Sequence, residues 1–170
     1  MAQTANSQDR LRSVLILSAT AGTIAFNALA AAGYVNGVSP EVISNKYLTV
    51  ITPAGYAFSI WSLIYVGIIA FSIYQMLPAQ LERLRPVRTL YVLSCLLNCA
   101  WIYFWHREQI ALCLGLIVGL WLTLILILHR FRRAEDRGSA LMTSAPFGIY
   151  AGWVTAASLV NLAIMLKWAN

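Results

Sequence analysis

Charged side chains are scarce in this sequence of 170 residues. Asp and Glu together number only 6, Lys and Arg number 12, and the charged fraction is 11%, whereas soluble globular chains carry about a quarter charged residues. Hydrophobic residues make up 60% of the chain, and the mean hydropathy is +0.71. This balance excludes an ordinary soluble domain, and it leaves no separate segment for soluble catalysis or DNA binding.

The few charged residues leave five long uncharged intervals, at 13–40, 47–81, 89–106, 109–129 and 138–166. Each interval is long enough for a helix to cross a hydrocarbon layer of about 30 Å at about 1.5 Å per residue. We therefore predict an all-α integral membrane protein, a five-helix bundle forming a single domain over residues 1–170. The predicted helices lie at about 13–34, 54–77, 89–105, 109–129 and 146–167, with an outer loop at 35–53.

The basic residues are distributed unequally between the two sides of the predicted bundle. Nine of them precede the first helix or lie in the second and fourth connections: Arg10, Arg12, Arg83, Arg85, Arg88, Arg130, Arg132, Arg133 and Arg137. The other side has only Lys46, Arg107 and Lys167. Because cationic loops stay in the cytoplasm, the N-terminus is predicted inside and the C-terminus outside. The pI of 9.6 therefore reflects membrane orientation, and we expect no nucleic-acid partner.

The three cysteines, Cys95, Cys99 and Cys113, all fall inside predicted spans, where a thiol behaves as a small apolar group. Cys95 and Cys99 share a helix face at i, i+4. No His or carboxylate lies in the same span to complete a metal site. We expect no catalytic residue, no metal site and no required cofactor.

Aromatic and amide side chains recur on one face of three of the predicted helices. These stripes contain Phe58, Trp61 and Tyr65 in the second helix, Ser94, Asn98, Trp101 and Trp105 in the third, and Tyr150, Trp153, Ala157 and Asn161 in the fifth. The i, i+3, i+4 and i+7 spacings place their members above one another on a helix. An amide in the bilayer is costly unless its hydrogen bonds are met inside the bundle, so these faces should point inward and form a pocket for a flat, mostly apolar ligand.

Plain structural roles remain open for the same residues. Asn98 and Asn161 could simply tie helices together. Trp105 and Trp168 lie beside basic residues at span ends, which predicts interfacial belt positions. The small residues Gly115 and Gly119, and Gly148, Gly152 and Ala156, recur at four-residue spacing and could serve either internal packing or a homodimer.

Three segments carry a resemblance to a known family. Residues 52–65 (TPAGYAFSIWSLIY) resemble the signature W-x-P-P-G-W-x-F-x-x-V-W-x-x-L-Y of the translocator protein and tryptophan-rich sensory protein family, TspO/MBR. Residues 97–104 (LNCAWIYF) are similar to its L-N-x-x-W-x-x-x-F pattern, and residues 150–161 are similar to its P-Y-L-x-W-x-x-x-A-x-x-x-N pattern. Ala54 stands in place of the second proline and Ile149 in place of the proline before the tyrosine. With these departures, the sequence resembles a divergent bacterial member of this family.

The resemblance implies a helical bundle in the bacterial cell membrane, often homodimeric, that binds tetrapyrroles such as porphyrin, haem or a bilin below the outer loop. Its partners would be the lipid bilayer and this hydrophobic ligand. Taken with the stripes, the resemblance predicts these ligand-binding residues: Phe58, Trp61, Tyr65, Asn98, Trp101, Phe104, Tyr150, Trp153, Ala157 and Asn161. Lys46 is the basic residue nearest the outer mouth, where it could meet propionate groups or remain solvated.

The resemblance favours a binding protein that senses or traffics a tetrapyrrole. Two alternatives remain: a light-dependent porphyrin-degrading enzyme, and a facilitative small-molecule transporter. No general base or nucleophile cluster is visible in the predicted spans, so any photodegradation should be slow. Proton-coupled carriers usually place ionisable groups inside a span. Here only His106 and His129 lie near span ends, which makes coupled transport the weakest interpretation.

The predicted topology can be tested with a cysteine introduced in the 36–45 loop. Because this loop is expected outside, the cysteine should react with a membrane-impermeant thiol reagent in intact cells. The unsubstituted chain, whose cysteines are predicted within spans, is the control. Labelling only after lysis would reverse the predicted orientation.

Overall fold

The structure is a computed structural model, and it describes residues 7–131 and 137–168. Its helices are α1 (Ser7–Ala31), α2 (Pro40–Lys46), α3 (Ile60–Tyr74), α4 (Arg85–His106), α5 (Ile110–Phe131), α6 (Arg137–Ala140) and α7 (Ser144–Trp168). Short 3-10 helices occupy Gly55–Ser59 and Pro78–Gln80. Over these described ranges the chain is helical and contains no β-strand. Arg132 and Arg133, and the side chains of Arg137 and Trp168, lie outside the described residues.

Within the described ranges, five helical segments are long and apolar enough to cross a membrane. They are Ser7–Ala31, Gly55–Tyr74, Arg85–His106, Ile110–Phe131 and Ser144–Lys167. The predicted all-helical bundle with five spans is thereby confirmed, and the protein is an integral, multi-pass membrane protein.

Two spanning helices begin earlier than the charge-free intervals suggested. α1 begins at Ser7 and α4 at Arg85, so both include charged residues that the sequence interpretation left in loops. Asp9 and Arg88 are buried, and the Arg88 Nη1 lies 3.3 Å from the Asp9 Oδ1. Asp9 and Arg88 therefore lie in the first turns of the helices that carry the first and third spans, and the predicted starts of these helices are too late. Mutual pairing of these buried charges is what lets both helices extend past them.

The predicted outer loop contains a helix of its own, α2. Ser39 precedes it as the N-cap, with its Oγ accepting a hydrogen bond from the Val42 N–H at 3.4 Å, and Pro40 occupies the first turn. Proline is well suited to this position because its missing N–H would be unpaired there anyway. The loop at 35–53 thus has a defined shape rather than an extended path.

The five spanning helices close into a ring. Each packs against two neighbours, in the order α1, α3, α7, α5, α4 and back to α1. α2 contacts α4 at one end of this ring. The spatial order differs from the chain order because α7 inserts between α3 and α5. The aromatic stripes of α3 and α7 therefore lie on neighbouring helices, and the α4 stripe meets α7 across the bundle through the Trp101–Asn161 hydrogen bond.

At the arginine-rich end of the helix bundle, four aromatic side chains pack against one another in the interior. Phe71 packs on Phe147 with centroids 4.9 Å apart at 87°, and on Tyr91 at 5.2 Å. Phe131 lies edge-on to Phe147 at 5.4 Å. The Tyr91 hydroxyl is 2.5 Å from the Thr20 Oγ1, so its polar tip is also satisfied. Edge-to-face packing of this kind leaves little internal space, and this end forms the solid core of the bundle.

The small-residue stripes do not serve close packing between helices of one chain. A Cβ added at Gly115, Gly148 or Gly152 would meet no atom within 4 Å, and one at Gly119 would touch only Leu97 at 3.8 Å. The glycine that does allow close approach is Gly67 of α3, where an added Cβ would lie 2.8 Å from the Pro146 Cβ of α7.

The contact at Gly67 predicts a specific stability effect. Gly67→Ala should destabilise the bundle by about 1–3 kcal/mol, since α3 or the rigid proline ring of α7 must move. Gly22→Ala is the matched control, because a Cβ at that helical glycine meets nothing within 4 Å. Thermal unfolding of the purified variants should show a lower midpoint for Gly67→Ala alone. Equal midpoints would show that the α3–α7 contact is looser than the structure describes.

Candidate functional site

A small cavity lies inside the ring at the end covered by α2. Its volume is about 40 Å³. It is lined by Pro40, Ser44, Pro53, Phe58, Trp61, Trp101, Ile102, Trp105, Trp153, Ala157, Val160 and Asn161. Four of the six tryptophans of the chain are in this lining. Ser44 and Asn161 supply its non-indole polar side chains, so the wall is apolar with a few polar points, as expected of a small-molecule site.

One wall is built from aromatic residues of α3 and α7. The Trp153 ring lies edge-on to Phe58, with centroids 5.8 Å apart at 76°, and edge-on to Trp61 at 6.4 Å and 82°. Trp61 in turn stacks on Tyr65 at 5.7 Å and 26°. Phe58 lies in the 3-10 helix that precedes α3 and also lines the cavity. Apart from the stacked pair Trp61 and Tyr65, these rings contact one another edge to face.

The opposite wall comes from α4. Trp101 and Trp105, one turn apart, stack with centroids 5.8 Å apart at 24°. The Trp101 Nε1 donates to the Asn161 Oδ1 at 3.4 Å, and the Asn161 Nδ2 donates to the Ala157 carbonyl at 2.8 Å. Asn161 therefore holds an indole of α4 against α7, and its amide is already paired.

A chain of buried hydrogen bonds between Asn27, Asn98 and Tyr150 lies beneath the cavity and connects three helices. We call this group the polar relay. The Asn27 Nδ2 donates to the Asn98 Oδ1 at 2.7 Å, and the Asn98 Nδ2 donates to the Tyr150 hydroxyl at 3.0 Å. All three side chains are buried. The Tyr150 ring packs edge-on to Trp61 at 5.9 Å. The relay thus satisfies the buried amides and supports the aromatic wall from below.

The structure brings six of the ten predicted site residues to the cavity lining: Phe58, Trp61, Trp101, Trp153, Ala157 and Asn161. The other four lie outside it. Asn98 and Tyr150 form the relay, Tyr65 lies behind Trp61, and Phe104 packs edge-on to Tyr103 at 5.2 Å. Helical spacing predicts which face a residue shares but not how deep along the helix a cavity ends, which is why the stripes extend past it.

Trp105 lines the cavity; the sequence interpretation included it in the stripe of the third helix but assigned it to an interfacial belt and left it out of the ligand-binding residues. The predicted belt position is wrong, because Trp105 is 3% exposed, stacks on Trp101 and donates its Nε1–H to the Pro40 carbonyl at 3.1 Å. Its i, i+4 relation to Trp101 was the signal that could have found it. The remaining lining residues missed by the sequence interpretation are Pro40, Ser44, Pro53, Ile102 and Val160. Three of these five, Pro40, Ser44 and Pro53, belong to segment 35–53 and not to a spanning helix, so no helical periodicity could indicate them.

The segment 35–53 closes the cavity and is fastened at several points. Lys46 forms an ion pair with Glu108 at 2.6 Å, and the Tyr47 hydroxyl donates to the same carboxylate. Lys167 of α7 donates to the Leu48 carbonyl at 2.8 Å. Lys46 is therefore neither simply solvated nor directed into the cavity. We call the group Lys46, Tyr47 and Glu108 the clasp.

The backbone of Glu108 has an unusual conformation, and its side chain contacts the other two residues of the clasp. Its φ of 54° is in the left-handed region, which is strained for a residue with a Cβ. Hydrogen bonds from Lys46 and then Tyr47 hold the pKa of Glu108 below its usual value of 4.5, and the same contact raises the pKa of Tyr47 to about 12. A lowered carboxyl pKa means that the clasp is complete above pH 4.5 and is lost as the pH falls through the lowered value.

The cavity as it stands is too small for a large ligand. Ligand sites usually measure about 300–1,000 Å³, and a volume of about 40 Å³ holds a few water molecules at most. Any flat macrocycle must therefore separate the edge-to-face rings and displace the covering segment. Among the described residues no group of three or more His, Cys, Asp or Glu side chains is arranged to hold a metal ion.

The family model described as TSPO-like protein matches residues 13–170, nearly the whole chain. No curated protein and no solved structure matches the chain.

The clasp predicts that the covering segment is loosened by a single substitution. Glu108→Ala removes the carboxylate that Lys46 and Tyr47 share, so amide hydrogen exchange of residues 40–48 should become faster at neutral pH. Glu82→Ala is the control, because Glu82 is exposed and makes no ion pair with any described residue. Unchanged exchange in Glu108→Ala would mean that the remaining contacts of the segment, including the hydrogen bonds from Trp105 and Lys167 and the buried side chain of Ile43, hold it closed.

Proposed function

The chain belongs to the TSPO-like protein family, and on that premise we propose that it is a membrane sensory or translocator-type protein that binds a tetrapyrrole or a similar flat hydrophobic molecule. The proposed site is the cavity beneath segment 35–53. The observation that carries the proposal is the convergence of four tryptophans from three helices on one small, mostly apolar space. Nothing in the packing of a plain bundle requires such a concentration of indoles.

The chemistry of the walls suits a conjugated macrocycle. Indole faces stack on flat π systems, and such contacts add about 0.5–1.5 kcal/mol each beyond burial. The stacked pair Trp101 and Trp105 offers one such face, and Trp153 lies on the opposite side. Separation of Trp153 from Phe58 would open a slot between them.

Binding would be coupled to opening of the clasp. Lys46 lies on the segment that covers the cavity, and it forms an ion pair with Glu108. A ligand carboxylate entering from the outer side would compete with Glu108 for Lys46, so acid groups on the ligand would favour release of the covering segment. An exposed pair of this kind costs little to break, about 0–1 kcal/mol.

We also propose that the protein forms a homodimer through the outward face of α7. Gly148, Gly152 and Ala156 are exposed there. Outside the sequence neighbours and the backbone of α7 itself, no described atom lies within 4 Å of an added Cβ at either glycine. Small residues allow two helix backbones to approach closely within a bilayer, and this face remains available to a second copy.

Substitutions in the cavity wall test the proposed ligand. Trp153→Phe removes an indole face and Ala157→Phe fills the slot, so each should weaken protoporphyrin binding by about tenfold, equivalent to about 1.4 kcal/mol. The measurement is saturable quenching of tryptophan fluorescence in the dark, with purified, folded protein. Trp121→Phe is the matched control, because Trp121 lies outside the cavity and donates to Thr155 on the α5–α7 contact.

The outcome separates the remaining interpretations. Equal affinity in the wild type and both cavity variants would place the ligand elsewhere. Repeating the titration with haem and a linear bilin tests the ligand class. Illumination of the same mixtures tests the alternative of photodegradation, for which product formation should depend on Trp61 and Trp153.

A further inference from the structure

A second recess lies at the opposite end of the bundle from the aromatic cavity. It is a groove of about 540 Å³ between α1 and α4, on the outer surface of the ring. One part is apolar and consists of Leu15, Ile16, Val92, Leu93 and Leu96, and the other part is formed by Thr89 and the three arginines Arg12, Arg85 and Arg88. An apolar channel that ends in clustered cations is an amphipathic site.

The charges at its polar end do not cancel. Asp9 is the carboxylate of the cluster, and it is shared: Arg85 donates to it through Nε at 3.0 Å and Nη2 at 2.5 Å, and Arg88 through Nη1 at 3.3 Å. Arg12 makes no ion pair with any residue in the described ranges. Glu82 is exposed nearby and is likewise unpaired there. Among the residues that the structure describes, three guanidinium groups thus face two carboxylates at most, and at least one positive charge is uncompensated there.

Arg88 also has an unfilled hydrogen-bonding position. Its side chain is 4% exposed, its Nε donates to the Gln75 Oε1 at 3.1 Å, and its Nη2 has no hydrogen-bond partner among the described residues. A buried cationic donor without an acceptor is costly. An anionic oxygen bound in the groove that Arg88 lines would supply one.

The position of the groove relative to the membrane indicates which kind of anion it binds. The groove lies where the spanning parts of α1 and α4 begin, so its apolar length runs along the acyl chains and its arginines are at headgroup level. Leu15, Leu93 and Leu96 are exposed on its surface, and acyl chains would cover them. Basic pockets between helices on the cytoplasmic side bind anionic lipid headgroups, and the basic-residue bias predicts that this is the cytoplasmic side.

We propose that this groove is a binding site for an anionic phospholipid of the inner leaflet. The phosphodiester lies among Arg12, Arg85 and Arg88, and one acyl chain follows the leucines of α1 and α4. Because Asp9, Arg85 and Arg88 join the first turns of both helices, the bound lipid stabilises the α1–α4 contact. The site is separate from the aromatic cavity and does not depend on the proposed tetrapyrrole function.

The test uses the full-length protein in a zwitterionic detergent, titrated with phosphatidylglycerol, phosphatidylcholine and inorganic phosphate. Native mass spectrometry reports bound lipid, and the thermal midpoint reports stabilisation. Phosphatidylglycerol should bind in preference to phosphatidylcholine and raise the midpoint. Arg12→Gln should weaken this binding roughly fivefold, the effect expected for one arginine near an anionic lipid surface.

Arg10→Gln is the matched control, since it makes the same charge change on the same helix but does not line the groove; binding to this variant should match the wild type. Equal losses in both variants would show diffuse charge attraction and overturn the site, as would equal binding of the two lipids. Stabilisation by inorganic phosphate alone, matching that by phosphatidylglycerol, would identify a free-phosphate site and overturn the lipid assignment. Trp153→Phe should leave phosphatidylglycerol binding unchanged, which keeps failure of this site distinct from failure of the tetrapyrrole site.

Discussion

The arrangement of the bundle depends on the requirement that buried polar side chains find partners within it. In hydrocarbon there is no water to satisfy an amide, so Asn98 must accept from Asn27 and donate to Tyr150. This relay connects α1, α4 and α7 at one depth. Because the Tyr150 ring also packs on Trp61, the relay positions the aromatic wall above it. The floor of the cavity is therefore a consequence of amide pairing rather than of apolar packing alone.

The two ends of the ring have different physical roles. At the arginine-rich end, the Phe71, Tyr91, Phe131 and Phe147 rings fill the interior, and the Asp9 cluster joins α1 to α4. At the other end the interior rings leave a small space that segment 35–53 covers with α2. The contacts that hold this segment include the exposed ion pair of the clasp and the buried side chains of Ile43 and Ser44. A dense core at one end allows such contacts to break at the other end without loss of the fold.

Much of the fold was predictable from residue type and spacing. Scarcity of charge predicted five spans, and the matched segments around Trp61, Asn98 and Trp153 predicted the family, which the match over residues 13–170 confirms. The predicted helix starts were less accurate, because the buried pairing of Asp9 with Arg88 allows charge inside a span. The belt position of Trp105 was wrong for a related reason: proximity to a basic residue does not reveal which face the neighbouring helices cover.

The sequence by itself determined that the chain crosses a membrane five times and which helix faces carry aromatic and amide side chains. These are local properties, set by residue polarity and by the 3.6-residue period of the helix. Only the tertiary structure decided that α7 lies between α3 and α5, that Asn98 supports the pocket from below, and that Glu108 fastens the covering segment. Each of these depends on contacts between residues far apart in the chain, which no local pattern encodes.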